Sequence, residues 1–131
     1  MTDQTEPRGK LTLQTVAMPA DTNMNGDIFG GWVVSHMDMA CGIAARRHAK
    51  SRAVTRAIDK LEFIRPVLVG DTVCCYADLI KTGRTSMQFR IEVWTIGLDD
   101  NTEEARIKVA EGLFTFVAID AAGKPRMLEM S

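Results

Sequence analysis

Between Gly30 and Lys50 the chain offers scarcely any polar face before Arg46. Trp32, Val33, Val34, Met37, Met39, Ala40, Cys41, Ile43, Ala44 and Ala45 fill the segment. Such a run reads as a helix, and a helix that is apolar on nearly every side is normally wrapped by other structure. Arg46, Arg47, His48 and Lys50 lie at its C-terminal end, where positive charge complements the helix dipole. The rest of the chain must therefore supply a surface that encloses one helix.

The remaining segments have the periodicity for that task. Residues 10–18 read as a first strand, with Leu11, Leu13 and Thr15 alternating with Thr12, Gln14 and Val16. After Ser51 the chain reads as strands to its end. They cover residues 53–64, closed by Arg65-Pro66, and residues 71–81, with Val73, Cys75, Ala77 and Leu79 on one face. Residues 84–98 and 104–120 follow. In the former, Met87, Phe89, Ile91, Val93 and Thr95 alternate with Gln88, Arg90, Glu92 and Trp94. Thr82-Gly83 and Asp99-Asp100-Asn101 are turn signals. Short connections imply an antiparallel sheet, and the economical packing is an α+β fold in which a curved sheet wraps around one long central helix. Such a sheet leaves edges and a face that need cover, which favours dimers or higher oligomers. The expected partition is a loose tail over residues 1–9, one domain over 10–126 and a short tail over 127–131.

A chain of 131 residues fits one domain with a real core. Its 16 basic and 17 acidic side chains nearly cancel, which removes a strong overall positive field for nucleic acid. The three cysteines, Cys41, Cys74 and Cys75, form no C-x-x-C pair. They read as reduced thiols of a cytosolic protein rather than zinc or redox ligands. No apolar signal-peptide core opens the chain and no run is long enough to span a bilayer, so the expected location is the cytoplasm. Two histidines without ligand-like spacing argue against a metal site.

The chemistry concentrates at the start of the helix. Asn23-Met24-Asn25-Gly26-Asp27 forms a polar, turn-rich loop that runs into Gly30-Gly31 and then into the apolar segment. Asp38 is the only formally charged side chain from Ile28 to Ala45. It reads either as a carboxylate satisfied within the fold or an interface, or as a general base or nucleophile in a pocket. Gly30 and Gly31 read as close-packing residues or as donors to a developing oxyanion. Asn23 and Asn25 are turn residues by default, either of which could also orient a water or carbonyl, and Asp27 is the default N-cap. His36, two residues from Asp38, falls on roughly the opposite helix face and reads as a surface or interface residue. Gly83-Arg84-Thr85-Ser86, with Lys81 close by, reads as a hairpin turn or as a cradle for a phosphate-bearing ligand. G-x-S-x-G, G-x-G-x-x-G and Walker-type loops are absent from the sequence.

The segment from Pro19 to Trp32, followed by Met37-Asp38-Met39, closely resembles the hotdog-fold acyl-CoA thioesterases of the bacterial YciA type. The likeness continues through Phe63-Ile64-Arg65-Pro66-Val67-Leu68-Val69-Gly70-Asp71, Val73-Cys74-Cys75-Tyr76, Ile91-Glu92-Val93-Trp94 and Phe116-Val117-Ala118-Ile119-Asp120. The resemblance implies a hotdog fold and hydrolysis of acyl-coenzyme A to free acid and thiol, without metal or organic cofactor. It implies Asp38 and Asn23 as catalytic residues from different subunits, with Gly30 and Gly31 as oxyanion donors. It also implies an active dimer, usually assembled into a trimer of dimers. Lys81, Arg84, Thr85 and Ser86 are the candidates for binding the coenzyme A portion. Cys41 replaces a small residue common near the family's catalytic aspartate, and His36 stands at a position that varies in relatives; both could reshape the acyl pocket. Two other readings remain at this point: a hotdog enoyl-CoA hydratase or dehydratase, and a non-catalytic acyl-CoA sensor.

Overall fold

The apolar segment forms one helix, α1 (Gly30–Ala49), in the computed structural model, which describes residues 4–100 and 102–128. Strand β1 (Lys10–Val16) precedes it, and β2 (Arg52–Phe63), β3 (Thr72–Thr82), β4 (Ser86–Ile96) and β5 (Ile107–Ile119) follow. All lie on the segments expected for them. The five strands form one antiparallel sheet in the order β1-β3-β4-β5-β2. The helix thus connects the two edge strands and crosses the sheet between them. This is the hotdog arrangement.

The helix buries Trp32, Val33, Met37, Ala40, Cys41, Ala45 and Ala49. From the sheet, Val73, Cys75, Ala77, Met87, Phe89, Ile91, Val93, Phe114 and Phe116 meet them in one core. Each large side chain so buried stabilises the fold by about 1.5–3 kcal/mol before ordering costs. Small residues set how closely the helix approaches. A Cβ added at Gly42 would stand 3.5 Å from the Phe116 ring, ordinary contact distance, so the helix leaves room for a methyl group there and little more. The helix ends at Lys50, whose left-handed backbone lets its N–H reach the Arg46 carbonyl at 2.9 Å.

One chain covers only part of this helix. Met39 remains about half exposed, and Ile43 is only partly covered. The edge strand β2 is also open along its length, with Val54, Ile58 and Phe63 each at least 40 % exposed. The all-round apolar character of α1 therefore exceeds what the sheet of one chain can bury.

The outer face of the sheet holds a feature that alternation concealed. Glu92 falls on the face expected to be polar, yet it is fully buried, as is its neighbour Trp94. Residues 4–8, read from sequence as part of a loose tail, supply partners across this face. Gln4 Nε2 donates to Glu92 Oε1 at 2.9 Å, and Arg8 Nε donates to Oε2 at 2.7 Å. Trp94 Nε1 adds a third donor at 3.0 Å, and Lys108 Nζ stands 3.8 Å from Oε2 while also pairing with Glu111. Burial raises the Glu92 pKa, but the hydrogen bonds from Trp94 and Arg8 and the Lys108 charge outweigh it. The carboxyl is held below its ordinary range.

A pKa lowered by folding contributes stability above the unfolded value, and that contribution disappears as pH falls through the folded value. Glu92→Leu is expected to lower unfolding free energy by about 3 kcal/mol, since it strands the cations around a buried site. Urea unfolding at neutral pH tests this. Glu92→Gln should flatten the decline in stability of the wild type below about pH 4.3. An equally steep decline in the variant would remove Glu92 as its source.

Candidate active site

The loop before α1 is held in shape by Asn23. Its Oδ1 accepts the Asn25 N–H at 2.8 Å and the Asp27 N–H at 3.2 Å, and its own N–H donates to the Asp27 carbonyl at 2.7 Å. Gly26 turns the loop at φ +82, a left-handed conformation that glycine adopts without strain. Because the side-chain carbonyl is committed inward, the Nδ2 amide is the group left to face outward. The loop is then pinned to the domain by Ile28 N–H on the Val67 carbonyl at 3.1 Å.

Asp27 does not cap the helix as expected. Phe29 occupies the N-cap and provides no side-chain acceptor. The Asp27 N–H and carbonyl are taken by Asn23, which draws the residue into the loop rather than onto the helix end. The N–H groups of Gly30 and Gly31 consequently have no acceptor among the described residues. Both glycines are exposed. They present donors at the positive end of a twenty-residue helix.

A cavity of about 380 Å³ opens at this point, lined by Asn23, Asp27, Gly30, Phe63, Arg65 and Val109 among others. The Phe63 ring lies over Gly30 so closely that an added Cβ would stand 3.2 Å from its Cζ. Arg65 places a guanidinium at the same opening, anchored by Nη1 on the Lys108 carbonyl at 2.7 Å. Neither Phe63 nor Arg65 was singled out from sequence as a site residue. Beyond its place in the family likeness, the Arg65-Pro66 pair reads as the end of a strand.

Asp38 lies elsewhere. Eight residues along α1, it is about 12 Å from the helix start and does not line this cavity. It is half-buried, and its Oδ1 accepts a hydrogen bond from Thr55 Oγ1 on β2 at 2.6 Å. The hydroxyl fixes one carboxylate oxygen and leaves Oδ2 available. Thr55 was missed by sequence reading, although it pairs in register with Phe116, a core residue of the sheet. His36 turns away from Asp38: its ring stacks on Trp32 at 4.0 Å, with Nδ1 2.8 Å from the Trp32 carbonyl.

Sheet register places the other candidates. Thr55, Phe116 and Met87 form one row across β2, β5 and β4, and Ser86 pairs with Val117 in the next. The β3–β4 turn is therefore at the Asp38 end of the sheet. Phe63 pairs with Ala110, which pairs with Val93, six residues away along β5 and about 20 Å distant. Lys81 and Ser86 line a polar depression with Gln88 and Thr115, whereas Arg84 and Thr85 do not. The Arg84 and Thr85 carbonyls accept the N–H groups of Leu128 and Ala118, at 2.8 and 2.9 Å, and the Arg84 side chain remains exposed. The chain thus carries two half-sites, donors at one end and a carboxylate at the other. No group of acidic, histidine or cysteine side chains among the described residues could hold a metal, and no described helix is long and apolar enough to cross a membrane.

A helix laid across a five-stranded antiparallel sheet, with open amides at its start and a carboxylate on its flank, defines a hotdog-fold protein. The sequence profile of the thioesterase superfamily matches residues 25–100. The acyl-CoA thioester hydrolase YciA of Salmonella typhimurium is 51% identical over 122 residues, which cover 93% of this chain and 92% of that protein. A point-mutant form of HI0827, described as a hexameric broad-specificity acyl-coenzyme A thioesterase, superposes with a TM-score of 0.90 at 44% identity, over 95% of this chain and 89% of the other. Cj0915, a hexameric hotdog-fold thioesterase of Campylobacter jejuni, superposes at 0.84 with 38% identity, over 92% and 91%. The chain belongs to the thioesterase superfamily.

The cysteines take no part in either half-site. All three are buried and free. Burial pushes up every thiol, helped at Cys41 by the Asp38 charge, and Cys75 rises to about 12. The native protein is therefore expected to release no colour from a thiol-reactive disulfide reagent at pH 8, with three thiols appearing in denaturant. Rapid native labelling would contradict the burial described.

Proposed function

We propose that this protein hydrolyses acyl-coenzyme A thioesters at sites built from two subunits, with catalysis by one domain over residues 10–126. The observation that carries the reading is the separation of the two half-sites on one chain, together with an open β2 edge between them. Antiparallel pairing of two β2 strands centred near Asp59 sets Phe63 of one subunit about opposite Thr55 of the other. Asn23 and the helix amides of one chain then face Asp38 of its partner. The same pairing covers Val54 and Ile58, and assembly supplies cover for the half-exposed face of α1. Relatives described as hexameric support assembly beyond the dimer.

In this site the thioester oxygen accepts hydrogen bonds from the Gly30 and Gly31 amides. Charge accumulates on that oxygen during attack, and the donors and helix dipole are already oriented to meet it. Asp38, with Oδ1 held by Thr55, uses Oδ2 to take a proton from water as the water oxygen bonds to the acyl carbon. An alternative first step is direct attack by Asp38 to give an anhydride, which water then opens. Collapse breaks the carbon–sulfur bond, and the departing thiolate takes up a proton. The Asn23 amide orients the water or thioester. Coenzyme A is substrate and product rather than a resident cofactor. Lys81, Arg84, Thr85 and Ser86 lie at the Asp38 end, where the first two offer cations to its phosphates.

Thiol release and enoyl absorbance, followed together over a panel of acyl-CoAs, test the reaction. Thiol release supports hydrolysis; an enoyl change without it would replace the reading with hydration, and binding without either would leave a sensor. Asp38→Ala should lower kcat at least about a hundredfold. Thr55→Val should lower it about tenfold by freeing the carboxylate from a charge-assisted hydrogen bond. Arg84→Ala should mainly raise KM. Mixing and reassembling inactive Asp38→Ala and Asn23→Ala subunits should restore activity, because half of the sites in a mixed dimer contain both intact residues. Failure of the mixture to recover, when both variants assemble normally, would mean that each site lies within one chain.

A further inference from the structure

The largest cavity described, about 570 Å³, lies away from both half-sites, between the C-terminal half of α1 and strands β1 and β3. Its floor is apolar. Leu79 and Phe89 are register partners on the helix-facing side of the sheet, Ala77 lies beside them, and Ala44 faces them from the helix. Its rim is basic. Arg47 and His48 follow Ala44 by three and four residues and so share its stripe of the helix. Lys10 pairs in register with Ala77, which puts it on the same side of the sheet as the floor.

Among the described residues, no acid balances these groups within the groove. Asp78 contributes to its wall, but in register it pairs with Arg90, and the two side chains meet at 3.5 Å on the opposite face of the sheet. Lys10, Arg47 and His48 have no side-chain hydrogen-bond or ion-pair partner among the described residues. The negative end of the helix is already engaged: the Arg46 carbonyl takes the Lys50 N–H at 2.9 Å, and the Ala49 carbonyl takes Arg126 Nη1 at 3.0 Å. An apolar trough ending in two unpaired cations and an imidazole fits an alkyl chain with one anionic end.

We infer that this groove binds a free fatty carboxylate, its alkyl chain over Ala44, Leu79 and Phe89 and its carboxylate against Arg47, His48 and Lys10. The inference rests on the proposed reaction only in taking the free acid, the product, as the relevant ligand. The site is separate from the catalytic residues, so the product has a place on the enzyme that does not require it to occupy the acyl cavity.

Titration calorimetry of the intact protein with decanoate tests this, with 1-decanol as the uncharged control. Decanoate should bind saturably and more tightly than 1-decanol, and added salt should weaken it. Ala44→Leu, which fills the trough, and Arg47→Ala should each raise Kd about tenfold while leaving kcat for acyl-CoA unchanged. Lys10→Glu, on an edge strand, supplies a third variant should Ala44→Leu fail to fold. A non-hydrolysable acyl-CoA analogue should not displace decanoate. Absence of saturable binding, as when a second copy covers the groove, would overturn the inference. So would binding indifferent to all three variants, or displacement by the analogue. Thiol release by the wild type is measured independently: its failure removes the proposed reaction, whereas these outcomes decide the groove.

Discussion

The structure depends on the mismatch between one apolar helix and the area of one small sheet. Five strands bury one side of α1, through Val33, Met37, Ala40, Cys41 and Ala45, and leave Met39 and part of Ile43 uncovered. The helix must also connect opposite edges of the sheet, because β1 and β2 flank α1 in sequence and lie farthest apart in strand order. These facts leave an open edge at β2 and an open face on the helix, at the same side of the molecule. Assembly follows from the packing, and so does placement of the chemistry. Any group on the uncovered flank of α1 or along β2 acquires its final surroundings only when another chain arrives.

That placement separates what the helix offers from what it needs. Within a helix, open amides occur only at its start, so the free donors of α1 are those of Gly30 and Gly31 among the described residues. A carboxylate at the same point would sit in the donors' field, as an N-cap, and would satisfy them instead of leaving them for a substrate. The loop avoids this by engaging Asp27 through its backbone with Asn23 and placing Phe29 at the cap. Asp38, two turns onward, is beyond reach of those amides and is steadied by Thr55. Donor and carboxylate therefore do not neutralise each other within a chain.

Much of this could be read from the sequence because the signals are local. The helix declared itself through its continuous apolar run, the strands through alternation such as Met87, Phe89, Ile91 and Val93, and the turns through Thr82-Gly83 and Asp99-Asp100. The core positions on β3 and β4 follow that alternation. What escaped was non-local. Glu92 obeys the outward phase of its strand, and residues eighty-four and more positions away in sequence, Arg8 and Gln4, join Trp94 and Lys108 in making it a buried anchor. Thr55 looks like any strand threonine until the helix sets Asp38 beside it. Arg65 reads as strand punctuation until the fold brings it to the helix start. The misplaced N-cap has a local cause: the Asn23 N–H takes the Asp27 carbonyl, an acceptor that a helix capped by Asp27 would have used.

Glu92 also bears on how the sheet sustains an exposed working face. A sheet with a helix on one side has a second face that alternation makes polar, and exposed polar strands hold few restraints against one another. Here the outer face is instead cross-linked by one carboxylate that collects donors from residues 4–8, β4 and β5. Lys108 joins that cluster by its side chain, while its carbonyl, directed elsewhere, holds Arg65 at the mouth of the cavity. The backbone at one residue thus links the buried charge on the outer face to the cation beside the helix amides. Stability of the outer face and geometry of the donor half-site are therefore coupled through a single strand, without any contact between Glu92 and substrate.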